Sequence, residues 1–247
     1  MNIVAVIPAR YESTRFRGKV LAKETGKYLI QHTYENVCKA EHVLQVLIAT
    51  DHEEVAEACK EFGAKCVMTS ADHQSGTDRV AEVAAGLDAE VVINVQGDEP
   101  EIEPGYIDVL AELMIENPDC PMGTLVAPFE TREQIRNPNI VKAIVDFEGY
   151  ARYFSRAVIP YDRQRSGIGE VGMYLRHVGI YAYRKEFLLA ISSLPQGNLE
   201  KIEKLEQLRA IEYGYPILAG RVEHVFDGID TPEQYKAFVK KMQERRD

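Results

Sequence analysis

No apolar stretch in this chain is long enough to cross a bilayer. The longest, residues 3–8 and 90–95, fall far short of the roughly 20 residues a spanning helix needs. The opening Met-Asn-Ile-Val-Ala-Val-Ile-Pro also lacks a basic leader and a small-residue cleavage site, so it reads as a mature cytoplasmic start. Cysteine is sparse. Cys38, Cys59, Cys66 and Cys120 show no CxxC spacing, which favours buried reduced thiols over zinc ligands or disulfides. Positive charge is in deficit, with 29 Lys and Arg against 39 Asp and Glu and a net charge of −10. A nucleic-acid coat or an anionic-membrane binder would need a positive face, so neither partner is expected. Repeats, low-complexity tracts and Ser/Gly linkers are missing as well, which leaves one continuous domain over residues 1–247 as the simplest organisation.

What remains is the composition of a folding globular chain. Its 247 residues are 45% hydrophobic and 28% charged, enough to bury a core without disulfide or metal staples. Over the first 120 residues, apolar runs at 2–7, 43–49, 65–68 and 91–95 alternate with helical spacing at 28–40, 53–62 and 78–87, and Gly63 is placed to end the second helix. Strands apolar on both faces and separated by helices predict a parallel, doubly wound sheet. Beyond residue 120 the segments 122–129, 140–146, 151–154 and 176–184 read as strands, with turns at Asn137-Pro138 and Glu148-Gly149, and predict an antiparallel insertion. Helices at 186–193 and 200–213, a strand near 217–222 and a closing surface helix capped at Thr231-Pro232 complete an α/β fold with a mixed, mostly parallel sheet.

Ligands of open parallel sheets collect where strands end, and three such segments are unusual. Residues 10–19 hold Arg10, Arg15, Arg17 and Lys19 against one acid, a cluster suited to a polyphosphate through guanidinium forks, a point charge and turn N–H groups. The segment is neither a Walker A loop nor a GxGxxG turn, and a solvated basic loop is the plain alternative. In Gln96-Gly97-Asp98-Glu99-Pro100, Asp98 is the first candidate for a Mg²⁺ ligand; an ordinary turn acid is the alternative. Residues 70–79 form a polar loop entering a helix, where Gln74, Ser75 and Gly76 are able to read a base or ribose, although Ser75 or Thr77 would serve equally as a helix cap.

The ordered set IPARYESTRFRGK, ATDHEEV, MTSADHQSGTDR, VINVQGDEP, NPNIVKAIVD, YFSRAVIPYDR, RHVGIYAYR, KLEQLR and GIDTPE resembles the 3-deoxy-manno-octulosonate cytidylyltransferase (CMP-Kdo synthetase) family from residue 3 to about 235. The resemblance implies a fold of the sugar-nucleotide transferase type, a cytoplasmic homodimer and a Mg²⁺-dependent reaction. CTP and Kdo would give CMP-Kdo and pyrophosphate for lipopolysaccharide synthesis, with residues 1–120 mainly nucleotide-binding and 121–247 mainly sugar-binding and dimerising. It also implies that Arg10, Ser13, Arg15 and Lys19 meet the CTP phosphates, and that Gln74, Ser75 and Gly76 meet cytosine or ribose with Arg79 beside them. Asp98 and Asp230 would hold magnesium. Gln96, Arg156, His177, Tyr181, Glu206 and Gln207 would line the Kdo pocket; for His177 and Tyr181 a core position in a strand, and for Glu206 a helix ion pair, stand as alternatives.

Two departures from the family pattern stand out. Arg15-Phe16-Arg17-Gly18-Lys19-Val20-Leu21 replaces a segment that usually carries two prolines, which predicts a more mobile loop. Asp227 adds an acid near Asp230, leaving open which of the two binds metal. Lys19 is expected to be exposed and to neutralise charge developing on the phosphates. Related enzymes acting on an acylneuraminate, on 8-amino-Kdo or on a sugar 1-phosphate, and a silent nucleotide-binding module, are the rival readings.

Overall fold

The computed structural model describes residues 1–12, 15–73, 75–225 and 227–245. The chain forms two compact units, Met1–Asp108 with Phe226–Asp247, and Val109–Val225. The closing segment thus belongs with the first unit.

In the first unit, four parallel strands lie in the order β3-β2-β1-β4: β1 (Ile3–Pro8), β2 (Gln45–Thr50), β3 (Cys66–Met68) and β4 (Val91–Asn94). Every residue of β1 and β4 is buried, as runs without polar alternation require of central parallel strands. Helices α1 (Leu29–Val37), α2 (Glu53–Glu61) and α3 (Gly76–Ala85) connect them, and Gly63 follows α2 at φ +76° as anticipated. The order reverses between β1 and β4, and in such sheets the carboxyl ends of the strands at that reversal are the usual ligand position. The loop after β4 passes so close to β1 that a Cβ on Gly97 would lie 2.9 Å from the Pro8 carbonyl oxygen. Only glycine fits there.

The last helix, α9 (Pro232–Glu244), is more than the surface element expected. Tyr235 and Phe238 are buried with Leu29 and Ile229, while the opposite face is charged. Thr231 caps it, accepting from the Gln234 N–H, and the Gln234 side chain accepts in turn from the N–H groups of Asp230 and Thr231.

Helix α4 (Pro104–Glu116), not foreseen, starts in the first unit and ends in the second. Its high overall apolarity blurs the amphipathic stripe that reveals other helices. Within the second unit β5 (Met122–Pro128) pairs antiparallel with β8 (Leu175–Arg184) and parallel with β9 (Ile217–Arg221). The hairpin of β6 (Lys142–Val145) and β7 (Ala151–Ser155) joins β8 through β6. The expected antiparallel insertion is present. A short helix, α5 (Arg132–Arg136), separates β5 from β6, and α6 (Lys185–Ser193) follows β8. Arg184 donates to the carbonyls of Met114, Asn117 and Cys120, closing the end of α4.

The single helix expected over 200–213 is two, α7 (Asn198–Glu203) and α8 (Leu208–Glu212), separated at Lys204 with φ +55°. A continuous helix would hold residues 200 and 212 about 18 Å apart. Instead Glu212 accepts from the N–H groups of Asn198, Leu199 and Glu200, and Arg209 grips the Glu200 carboxylate at 2.7 and 2.8 Å. These charge-assisted bonds fold the segment back on itself. Of the four cysteines, all free, Cys59 and Cys120 are buried as expected but Cys38 is exposed.

Candidate active site

Lys19 sits at the first unit's switch point, in a one-turn 3-10 helix (Lys19–Leu21) entered through Gly18 at φ +67°. Far from being exposed, its side chain is 10% accessible. Its ammonium donates to Asp98 Oδ2 at 2.5 Å, the Ile229 carbonyl at 2.9 Å and Asp230 Oδ1 at 3.0 Å. Burial alone would lower the Lys19 pKa; the attraction and hydrogen bonds of Asp98 and Asp230 outweigh it and hold the group above its ordinary value. Arg15 donates to the other Asp230 oxygen at 3.0 Å. Asp98 and Asp230, 132 residues apart in sequence, thus share one cation, the Lys19 ammonium.

The loop that carries Lys19 is anchored at both ends. Tyr11 stacks on His52 with ring centroids 3.9 Å apart, and the Tyr11 carbonyl accepts from the Gly18 N–H. Phe16, standing where the missing proline context predicted mobility, packs into the α9 cluster with its ring 5.7 Å from Tyr235. Arg17 pairs with Glu12 at the surface. Arg10 keeps one buried amino group with no protein partner, a donor available to a ligand. Ser13 and Gln74 lie outside the described residues.

Ser75 is a helix cap. Its hydroxyl accepts from the Asp78 N–H, and Asp78 accepts from the Ser75 N–H. Gly76 begins α3 beside Pro8 and Gln96, so these three segments do meet. Arg79 is 1% exposed and committed to Asp51 at 2.8 Å and to the Thr69 hydroxyl, tying α3 to the ends of β2 and β3. The family pattern pointed it toward the nucleotide, but its guanidinium bonds Asp51 and Thr69 of the protein itself. Gln96 donates weakly to Asn94.

In the second unit, the Thr124 hydroxyl lies 2.9 Å from His177 Nε2 and 2.9 Å from the Ile180 carbonyl, so it fixes the ring edge of His177 by a hydrogen bond. Packed against Phe154 and Tyr181, the His177 ring is held neutral: burial pushes its pKa down to about 3. Tyr181 donates to Gln207 Oε1 at 3.1 Å, and the buried Gln207 Nε2 has no protein partner. Glu206 is exposed on the neighbouring position. His177, Tyr181 and Gln207 therefore form one connected group.

Arg156 stands on three carbonyls: Glu203 at 2.7 Å, Pro138 at 3.0 Å and Lys204 at 3.3 Å. These bonds use three of five donors and leave one N–H on each terminal nitrogen. Beneath it lies a residue that no sequence argument singled out. Lys142, fully buried, donates to the carbonyls of Asn137, Ile140 and Arg156 at 2.7–3.0 Å. The only sequence signal was a lysine amid the apolar run of a strand.

A parallel sheet whose switch point gathers a basic loop and two carboxylates is that of a nucleotidyltransferase-type α/β enzyme. Residues 4–221 match the family model described as cytidylyltransferase. A 3-deoxy-manno-octulosonate cytidylyltransferase of Solibacter usitatus is 50% identical, covering 94% of this chain and 91% of its own, and one of Syntrophotalea carbinolica is 48% identical over 94% and 95%. A solved CMP:2-keto-3-deoxy-manno-octonic acid synthetase in complex with CTP superposes with a TM-score of 0.93 at 40% identity, over 99% of this chain and all of that one. A cytidylyltransferase of Leptospira borgpetersenii, 16% identical with a TM-score of 0.65 over 99% of this chain and 87% of its own, shares the fold. The chain belongs to the cytidylyltransferase family and, within it, to the 3-deoxy-manno-octulosonate cytidylyltransferases.

Proposed function

We infer that the protein transfers CMP from CTP to 3-deoxy-D-manno-octulosonate (Kdo), yielding CMP-Kdo and pyrophosphate for lipopolysaccharide biosynthesis. The observation that carries this reading is the convergence of Lys19, Asp98 and Asp230 at the β1/β4 switch point, in a chain half identical to a named Kdo cytidylyltransferase. The sugar's anomeric hydroxyl attacks the α-phosphorus of CTP, and pyrophosphate leaves in line as the bond to its bridging oxygen breaks.

Magnesium is the cofactor this reading requires, and the donor set fits it. Two carboxylates and the Ile229 carbonyl, all hard oxygens, face one point, and magnesium commonly takes one or two carboxylates and completes its shell with water and phosphate. Among the described residues there is no group of three or more His, Cys, Asp or Glu that would suit a softer or all-protein metal site. When bound, magnesium neutralises phosphate charge and acidifies the sugar hydroxyl, so that no dedicated general base is needed.

The chain's own residues bind and orient. We assign Arg10, Ser13, Arg15 and Lys19 to the triphosphate, and Gln74, Ser75 and Gly76 to the base or ribose. The Ser75 hydroxyl is already spent on its cap, and Arg79 positions this loop through Asp51 and Thr69. Gln96, His177, Tyr181, Glu206 and Gln207 receive the sugar, and the two unspent N–H groups of Arg156 suit its carboxylate. We also assign a cytoplasmic homodimer, since CTP is found there and the strand edges of residues 122–184 need covering. No helix among the described residues is long and apolar enough to cross a membrane. Sedimentation showing only monomer at micromolar concentration would remove the dimer. The function itself is tested by pyrophosphate release over a panel of nucleotides and sugar acids: turnover with CTP and Kdo should exceed that with 8-amino-Kdo or an acylneuraminate, and absence of turnover with Kdo would overturn the reading.

A further inference from the structure

The Lys19 ammonium occupies the position the proposed metal needs. Three oxygens converge on Nζ at 2.5, 2.9 and 3.0 Å, and two of them belong to the carboxylates assigned to magnesium. Magnesium binds oxygen at about 2.0–2.1 Å in a near-ideal octahedron, so the ion and an ammonium cannot share one cage. Charge points the same way. Lys19 and Arg15 already balance Asp98 and Asp230, so a divalent ion added with both in place would leave an excess of two positive charges in a half-buried site.

The frame around the ammonium is built to outlast its departure. Ile229 is fixed in the α9 cluster, and its N–H donates to the Asp98 carbonyl at 2.8 Å, tying both sides of the cage together without Lys19. The Lys19 backbone is held separately, in its 3-10 turn and by Tyr11 and Phe16 at either side of the loop. Its side chain has four rotatable bonds to swing on. The stationary part is therefore the oxygen cage, and the exchangeable part is the cation inside it.

We propose that Lys19 is an internal counter-ion that excludes divalent metal from the nucleotide-free site, so that metal and polyphosphate enter together. Metal takes the Asp98, Asp230 and Ile229 oxygens while the displaced ammonium takes a phosphate. Each ligand then raises the affinity for the other, because each removes what the other must displace. This rests on the reading of the site as a magnesium-dependent nucleotidyltransferase centre and adds an order to its filling.

The test is Mn²⁺ titration of the nucleotide-free protein, followed by the paramagnetic resonance of free ion. Wild type should bind weakly; Lys19→Met should bind about tenfold or more tightly, Lys19→Arg no more tightly than wild type, and Asp98→Asn placed on Lys19→Met should abolish the gain. Mn²⁺ affinity in folded Lys19→Met equal to or below that of wild type would overturn the proposal. Should Lys19→Met fail to fold, reductive methylation of wild type serves instead. Lys19 should be protected in the free protein and labelled once Mn²⁺ saturates it, and unchanged protection at saturation would overturn the proposal equally. Pyrophosphate release by wild type is scored separately, so a working transferase without the exchange, or the exchange without transferase activity, tells the two readings apart.

Discussion

Two buried lysines in this molecule each donate to three oxygens, and they behave in opposite ways. Lys19 faces two carboxylates and one carbonyl, and its pKa is raised; Lys142 faces three carbonyls, and its pKa is lowered, first by burial and further by Arg156, against the attraction of Glu203. Carbonyls satisfy an ammonium without neutralising it, so desolvation goes uncompensated. The difference teaches what each lysine is for. A cation held by carboxylates is replaceable by another cation, whereas one held by carbonyls ties backbone segments together. Lys142 joins the Asn137–Ile140 turn to the Arg156 carbonyl and so sets the ground under the Arg156 guanidinium.

The comparison breaks most visibly at the carboxylates. Asp98→Asn and Asp230→Asn should each lower kcat by roughly 10³-fold, with CTP affinity changed only a few-fold, because triphosphate contacts from residues 10–19 survive. The double variant should be scarcely worse than either single one, as groups serving one cation are non-additive. Steady-state kinetics at several Mg²⁺ concentrations decides, and near-wild-type Asp98→Asn would sink the assignment. Next in size, Lys142→Met should cost about 1–3 kcal/mol in urea unfolding, since it removes the ammonium on which the carbonyls of Asn137, Ile140 and Arg156 converge. Added Mn²⁺ should restore part of whatever stability Lys19→Met loses and none of that lost by Lys142→Met.

A smaller effect concerns His177. Its folded pKa, about 3, lies below the ordinary 6.5, so above pH 6.5 it contributes no pH dependence. As the pH falls from 6.5 toward 3, the unfolded chain gains a proton that the folded chain refuses, and stability drops by about 2–3 kcal/mol after allowance for the ring's partial exposure. His177→Gln should flatten that limb of the stability curve measured by denaturant at stepped pH. Smallest of all, Asp227→Asn should leave kcat within about twofold; a dead Asp227→Asn beside an active Asp230→Asn would move the metal assignment.

The parallel half of the fold was legible because central strands such as β1 announce themselves as unbroken apolar runs. Helix α4 was not, being apolar nearly all round, and the α7–α8 break was not, because its causes are Glu212 and Arg209 reaching back across the turn. At the site, Lys19 and Asp98 were visible as charged residues directly after strands, while Asp230 was found only through the family pattern. Its partnership with Lys19 spans 211 positions, and no local spacing signals that. Lys142 was opaque for another reason. Its partners are main-chain carbonyls, which every residue possesses and no sequence displays. Arg79 looked like a ligand contact because its acidic partner, Asp51, lies 28 positions away, just past the end of β2.

The docking of α9 beside α1 has a temporal consequence. Ile229 and Asp230 supply two of the three oxygens around Lys19, so the cage does not exist until the ribosome has passed residue 230 and the α9 cluster has closed. A nascent or prematurely terminated chain that stops short of that point holds the basic loop, the sheet and Asp98, yet has no place to bind a cation in the manner described. Contacts of such sequence separation are also the slowest to form. Assembly of that cage is therefore a late event of synthesis, and it reports that the chain has been made and folded through α9.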